Sequence, residues 1–199
     1  MGLAGRPLLA ESLERLETSD WIEGIVIVAP PEWEEPSILL AEELGCGKVS
    51  TCVTGGASRA ESVRLGLAEV PEEAAVVLVH DAARPLVTDE VIERVLRALG
   101  EGWDGAVPAL PVSDTIKRVS GEAVVETLPR RELVAVQTPQ GFVASVLRDA
   151  FAGDIAGASD CASLVEARGG RVRIVEGDPR LLKVTGHEDL ELVERLLAE

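Results

Sequence analysis

The chain has 199 residues, 46% hydrophobic but only 3% aromatic, with two Phe, three Trp and no Tyr. That size suits a single domain with an aliphatic core, and it excludes aromatic base-stacking platforms as the main binding device. Thirty-five acidic against 19 basic residues give a net charge of −16, which excludes bulk attraction to nucleic acid or an anionic membrane.

In chain order, the N-terminus MGLAGRPLLAESLERLE carries Arg6, Glu11 and Glu14 inside its apolar pattern. It is therefore not a signal peptide, and Arg6 stands where a myristoylation motif needs Ser or Thr. The spacing predicts a helix near 7–18, a strand near 24–29, a helix near 36–44 and a strand near 49–53. Helix 58–69, strand 75–79, helix 88–99 and strand 104–109 follow. Between 111 and 139 the pattern changes to a β-ribbon arm turning at Gly121-Glu122. Helices near 143–152 and 160–168, a strand near 171–175 and a helix near 187–198 complete the chain. This alternation is the signature of βαβ units in a single domain, residues 1–199. A parallel sheet needs a strand before the first helix for the crossover to make sense. None is visible, so an exposed apolar sheet edge or cleft is expected in its place. No apolar run is long enough to cross a bilayer. Cys46, Cys52 and Cys161 are odd in number, lack a CxxC spacing and accompany only two histidines. They read as small core residues in a reducing cytoplasm, neither disulfides nor a zinc site.

Several segments carry chemistry. Gly45 to Ser50, GCGKVS, resembles a phosphate loop only superficially, because Glu42 stands where its first glycine belongs and Lys48 leads into a strand. Gly55 to Ser62, GGASRAES, is spaced as a capping box between Ser58 and Glu61. It is equally a helix N-terminus whose N–H groups, with Arg59 and Ser62, face an anionic ligand. His80 to Pro85, HDAARP, follows a buried strand and sets Asp81 and Arg84 at its carboxyl end, where open α/β sheets bind ligands. Asp81 suits Mg²⁺ and Arg84 suits a phosphate; a turn closed by a local Asp–Arg pair is the alternative. The arm gathers Lys117, Arg118, Arg130 and Arg131, which solvation of an exposed ribbon also explains. Lys183 precedes the last helix. His80 and His187 have no partner at catalytic spacing.

Seven motifs together carry a resemblance. GGxxRxxSV at Gly55 to Val63, HDAARP, DTIKR at Asp114 to Arg118, TLPR at Thr127 to Arg130, QTPQ at Gln137 to Gln140, SDxxSLVE at Ser159 to Glu166 and KVT at Lys183 to Thr185 occur in one order. That order resembles the methylerythritol phosphate cytidylyltransferases, from about Leu3 to the C-terminus. The resemblance implies a Rossmann-like α/β nucleotidyltransferase sheet, mostly parallel, with residues 111–130 as a projecting dimerisation arm. It implies a homodimer that joins CTP to a sugar-alcohol phosphate, methylerythritol phosphate, with Mg²⁺ and release of pyrophosphate. By the same resemblance Gly56, Ala57 and Ser62 lie near the nucleoside and Asp81 binds the metal, with Ala82 and Arg84 continuing that site. Arg130 and Lys183 place the substrate phosphate, with Thr115, Thr138 and Ser159 as its hydrogen-bonding neighbours. Thr115 and Arg130 would serve the partner's site. Ribitol phosphate is the alternative substrate, and Ala83 leans against it; a non-catalytic sugar-phosphate-binding remnant is the non-enzymatic alternative. Ala57 and Ser159 depart from the family's frequent Asp and Thr. The family's first strand and glycine-rich loop, with its Arg and Lys, find no counterpart in this sequence. By additivity of two lost charge-stabilising donors, turnover is expected to fall by about 10⁴–10⁶.

Overall fold

The computed structural model describes residues 2–3 and 5–198. A short ribbon, β1 (Gly2–Leu3) antiparallel to β2 (Arg6–Pro7), leads into α1 (Leu8–Thr18). The order continues with β3 (Ile25–Ala29), α2 (Glu34–Glu43), β4 (Val49–Thr54), α3 (Arg59–Ala68), β5 (Val76–Val79), α4 (Asp89–Gly100) and β6 (Gly105–Pro111). The arm is the hairpin β7 (Ile116–Ser120) and β8 (Ala123–Leu128), turning at Gly121 with φ +57°. A 3₁₀ turn (Arg130–Glu132), β9 (Val134–Val136), β10 (Gln140–Val143), α5 (Ala144–Phe151), α6 (Cys161–Ala167), β11 (Val172–Glu176) and α7 (His187–Leu197) complete it. No helix among the described residues is long and apolar enough to cross a membrane.

The sheet comes in two parts. β3 and β4 form a parallel pair, while the second part has the order β11-β6-β10-β5 with β9 on the end of β6. β10 is antiparallel to both β5 and β6, and β11 is parallel to β6. β5, β6 and β11 therefore run one way, with β10 reversed among them and the short β9 reversed at the end of β6. The sequence does not predict the reversed strand. QGFV is four residues long, follows Pro139 and contains glycine, so it lacks the alternating β-branched signal of the other strands.

Among the described residues β3 and β5 each have one edge without a strand partner, and two helices show that these edges face each other. On one face of the sheet, α1 packs Leu13 against Ile27 and Ala29 of β3. One turn later Leu16 joins Val87, Val91 and Leu78 of the β5–α4 side. On the other face, α3 approaches β3 so closely that a Cβ on Gly66 would lie 2.6 Å from Val28 Cγ2. The same helix packs Ala60 and Leu67 in a cluster that holds Val77 and Val79 of β5. Two half-buried valine-rich edges thus stand on either side of a slot bracketed by α1 and α3. The largest core cluster lies under α5 and α6, around the fully buried Phe142, Leu147 and Val165.

Candidate active site

Three backbone features assemble a charged cluster at the carboxyl end of β5. First, α3 opens with the predicted capping box: Ser58 accepts from the Glu61 N–H at 3.1 Å, and the Glu61 carboxylate accepts from the Ser58 N–H at 3.1 Å. This fixes the first turn and aims Arg59 inward. Second, the Arg84 N–H bonds to the Asp81 carbonyl at 2.8 Å, closing a turn that presents the Asp81 side chain. Third, the Val184 N–H donates to the Ala83 carbonyl at 2.8 Å, and Val184 itself is buried, so Lys183 is pinned beside that turn.

The side chains follow. Arg59 Nε and Nη2 donate to Asp81 Oδ1 at 3.1 and 3.0 Å, and Lys183 Nζ donates to Asp81 Oδ2 at 2.9 Å. One carboxylate thus lies between two cations that are 22 and 102 residues away in sequence. Burial pushes the Asp81 carboxyl upward, but the Lys183 hydrogen bond and the Arg59 charge outweigh it and hold the group below its ordinary value. Arg59 Nη1 also lies 3.7 Å from Cys161 Sγ at the start of α6. Burial pushes that thiol up to about 11, so it is a neutral neighbour.

Behind Asp81 lies a buried polar chain. The Asp81 N–H donates to Thr138 Oγ1 at 3.1 Å, and the Thr138 hydroxyl lies 3.1 Å from His80 Nδ1. His80 Nε2 lies 3.0 Å from the Arg84 carbonyl. The consistent assignment is that Nε2–H donates to that carbonyl while Nδ1 accepts the hydroxyl proton. Burial lowers the His80 pKa to about 4, so the ring is neutral at pH 7 and both nitrogens are engaged. It is a strut of the turn.

The structure distributes the other expected site residues unevenly. Gly56 and Ser62 meet in the loop before α3, where the Gly56 N–H donates to Ser62 Oγ at 3.1 Å and Ser62 Oγ donates to the Ser58 carbonyl at 2.9 Å. Ala57 and Ala82 are exposed on the rim. Ser159 is exposed ahead of Asp160, which caps α6 through Ser163 and receives Gln140 Nε2 at 2.9 Å. Thr138 is 4% exposed and faces inward, so it positions the Asp81 turn. Arg84 makes no side-chain pair with Asp81. Its Nη1 donates to the Leu181 carbonyl at 2.6 Å and its Nη2 to the Val136 carbonyl at 3.4 Å, which ties the Lys183 segment to the end of β9. The phosphate fork expected of Arg84 is in this structure a strap between loops, with a buried Nε still unpartnered. Gln137 reinforces the strap, donating to the Asp178 carbonyl at 2.8 Å and accepting the Asp178 N–H at 3.0 Å. Thr115 and Arg130 stand at the base of the arm, both exposed, with Arg130 Nη1 bonded to the Ser113 carbonyl. Gly47 and Lys48, in the loop that superficially resembles a phosphate loop, give their N–H groups to the Glu17 carboxylate. That turn is internally satisfied.

Arg59 carries no firm role in the sequence alone. Its place in the GGxxRxxSV segment aims it at an anionic ligand, while its pairing with Asp81 is tertiary and no local pattern shows it.

Comparison with known proteins extends this geometry. A family model described as "IspD: 2-C-methyl-D-erythritol 4-phosphate cytidylyltransferase" matches residues 1–199. A protein of that name from Rubrobacter xylanophilus is 45% identical over 200 residues, covering 98% of this chain and 85% of the relative. Another from Saccharopolyspora erythraea is 46% identical over 202 residues, covering 98% of this chain and 88% of the relative. Among solved structures, the 2-C-methyl-D-erythritol 4-phosphate cytidylyltransferase of Thermus thermophilus superposes with a TM-score of 0.82 at 37% identity, covering 99% of this chain and 92% of that one. The chain belongs to the 2-C-methyl-D-erythritol 4-phosphate cytidylyltransferase (IspD) family, nucleotidyltransferase enzymes of isoprenoid biosynthesis.

Proposed function

We propose that the Asp81 cluster is where this chain transfers the cytidylyl group of CTP to 2-C-methyl-D-erythritol 4-phosphate. The observation that carries this assignment is the carboxylate flanked by Arg59 and Lys183 at the open end of β5, in a chain of the family just named. An oxygen of the sugar phosphate attacks the α-phosphorus of CTP in line, the bond to the bridging oxygen breaks, and pyrophosphate leaves. The attacking oxygen is already anionic, so no general base is needed; positioning and charge stabilisation suffice. Neutral, fully engaged His80 is compatible with that chemistry.

Lys183 and Arg130 supply cations to the phosphates, with Thr115 and Ser159 as hydrogen-bonding neighbours, while the loop of Gly56, Ala57 and Ser62, with Ala82, borders the nucleoside. Thr138 holds Asp81 from behind. Asp81 suits Mg²⁺ as a single hard oxygen ligand. The described residues contain no group of three or more His, Cys, Asp or Glu fit for a metal, so the remaining ligands are phosphate and water, which is the habit of this cation. Bound there, Mg²⁺ would neutralise charge on the triphosphate.

Arg130 and Thr115 serve the site of a second copy, through a homodimer built on the 111–130 arm. The support is the hairpin's unpartnered apolar surface, where Val119, Val124 and Val125 are 60%, 61% and 62% exposed. An apolar surface of this kind marks an interface. A reducing cytoplasm suits its three free cysteines.

Pyrophosphate release from CTP tests these roles. Lys183→Ala is expected to lower kcat/KM by roughly 10²–10³. A change smaller than about two-fold in that variant would remove Lys183 from the reaction.

A further inference from the structure

β11 ends its sheet, and its outer edge has no strand partner among the described residues. The ladder shows which backbone groups that edge presents. The Gly105 N–H donates to the Arg171 carbonyl at 3.2 Å and the Gly177 N–H to the Ala109 carbonyl at 3.0 Å. With Val172 opposite Gly105, the odd-numbered residues therefore bond to β6, and Val172, Ile174 and Glu176 turn their N–H and C=O groups outward. Arg94 Nε already donates to the Glu176 carbonyl at 2.8 Å, as a neighbouring strand would. The outward groups of Val172 and Ile174 have no partner among the described residues.

Side chains alternate across the same edge. Val172 packs toward α5 and α6, and Ile174 shares its face but is 54% exposed. Val175 packs with Val95 and Ala98 of α4, which puts Arg173, and Arg171 before it, on the α4 face. Both guanidiniums lie over the Trp103 ring, 5.3 and 5.2 Å from its centre, so they form a fixed row. Arg171 meets the Asp104 carboxylate only at 4.0 Å, and Arg173 has no ion pair among the described residues. A depression of about 260 Å³ between α4 and β11, lined also by Arg94, Arg97 and Glu101, leaves the edge uncovered.

We infer that β11 accepts an extended segment of a partner protein as an added antiparallel strand, in which carboxylates alternate with apolar residues. Opposed residues of neighbouring strands share a face, so those opposite Arg171 and Arg173 are acidic and those opposite Val172 and Ile174 are apolar. Main-chain bonds to Val172 and Ile174 supply affinity, and the two faces select the sequence. A second copy of this chain fits the edge poorly. Antiparallel pairing about Ile174 would set the two Arg173 side chains diagonally on one face, like charge beside like. The net charge of −16 acts mostly from beyond the screening distance of about 8 Å at physiological ionic strength, whereas the arginine row acts in contact.

Titration calorimetry of the whole chain with short capped peptides tests this. A peptide alternating Glu and Val is expected to bind once per chain. One alternating Lys and Val binds at least about five-fold more weakly, because two cross-strand attractions become repulsions. A block peptide with all its Glu before all its Val also loses binding. N-methylation of the Val amides, which face β11 in the antiparallel pair, abolishes binding, whereas N-methylation of the Glu amides, which face solvent, is tolerated. The Val172 and Ile174 amides are expected to exchange hydrogen at least about ten-fold more slowly with the Glu/Val peptide bound. Arg173→Glu reverses the order of the Glu/Val and Lys/Val peptides; Arg173 is exposed, and an unchanged urea midpoint verifies that the variant is folded. No binding of the Glu/Val peptide overturns the inference, as does equal binding of the block peptide. Binding that survives N-methylation of the Val amides, or leaves exchange at Val172 and Ile174 unchanged, overturns it equally. These peptide comparisons use the unsubstituted chain and stand even if Arg173→Glu fails to fold.

Discussion

Acidification from about pH 7 to about pH 4.5 charges His80 in the unfolded chain but leaves it neutral in the folded one. The ring is buried between the Thr138 hydroxyl and the Arg84 carbonyl, and burial lowers its pKa from 6.5 to about 4. Between those values the unfolded state binds the extra proton, so stability rises with pH across the window and falls as pH drops through it. Integrating the two titrations gives a loss of roughly 2–3 kcal/mol from this one group at about pH 4.5. Asp81 adds nothing over this interval. Its carboxyl is held below its ordinary 3.8, so its contribution is complete above that value and is lost only further into acid. Other carboxylates do titrate near pH 4.5, and the comparison must therefore be differential. Urea unfolding followed by tryptophan fluorescence, at both pH values, is to be run on the unsubstituted chain and on His80→Gln, which retains a donor and an acceptor but cannot ionise. The unsubstituted chain should lose roughly 2–3 kcal/mol more than the variant. Equal losses would show that His80 is protonated in the folded state and that the buried chain from Asp81 to Arg84 is wrongly drawn.

Two further outcomes concern architecture. The edges of β3 and β5 that face the slot carry amides without strand partners among the described residues, so hydrogen exchange is expected to be fast there and slow in β6, which pairs with β10 and β11. Protection in β3 and β5 equal to that of β6 would mean the slot is closed in solution. Val125→Lys on the exposed face of the arm should turn a dimer into a monomer by light scattering without unfolding the chain. A dimer that survives it, or an unsubstituted chain that is already monomeric, removes the arm as the interface.

The elements that the sequence makes legible are those whose determinants are local. The helix at 59–68 announces itself through Ser58 and Glu61, whose reciprocal bonds depend only on a three-residue spacing. The hairpin follows from Gly121 between two β-branched runs. β10 escapes a reading of the sequence because its burial between β5 and β6 is a property of the assembled sheet and its residues show no periodicity. The site divides along the same line. Asp81 and Lys183 stand out because their motifs resemble a family, yet their mutual contact joins residues 102 apart, which no local pattern encodes. The bonds that Arg84 makes are hidden from local context for a similar reason. A guanidinium after a strand suits a phosphate, but the return of the 178–184 segment supplies the Leu181 carbonyl and turns Arg84 into a strap.

The product made from CTP is the most direct test of the assigned reaction. Incubating the chain with α-³²P-labelled CTP, Mg²⁺ and, separately, methylerythritol phosphate or ribitol phosphate, and resolving the labelled products, measures this even at slow turnover. The expected result is a labelled cytidine diphosphate sugar alcohol with methylerythritol phosphate, lost in Asp81→Asn, and none with ribitol phosphate. Label transfer only to ribitol phosphate, or transfer unchanged by Asp81→Asn, would contradict it.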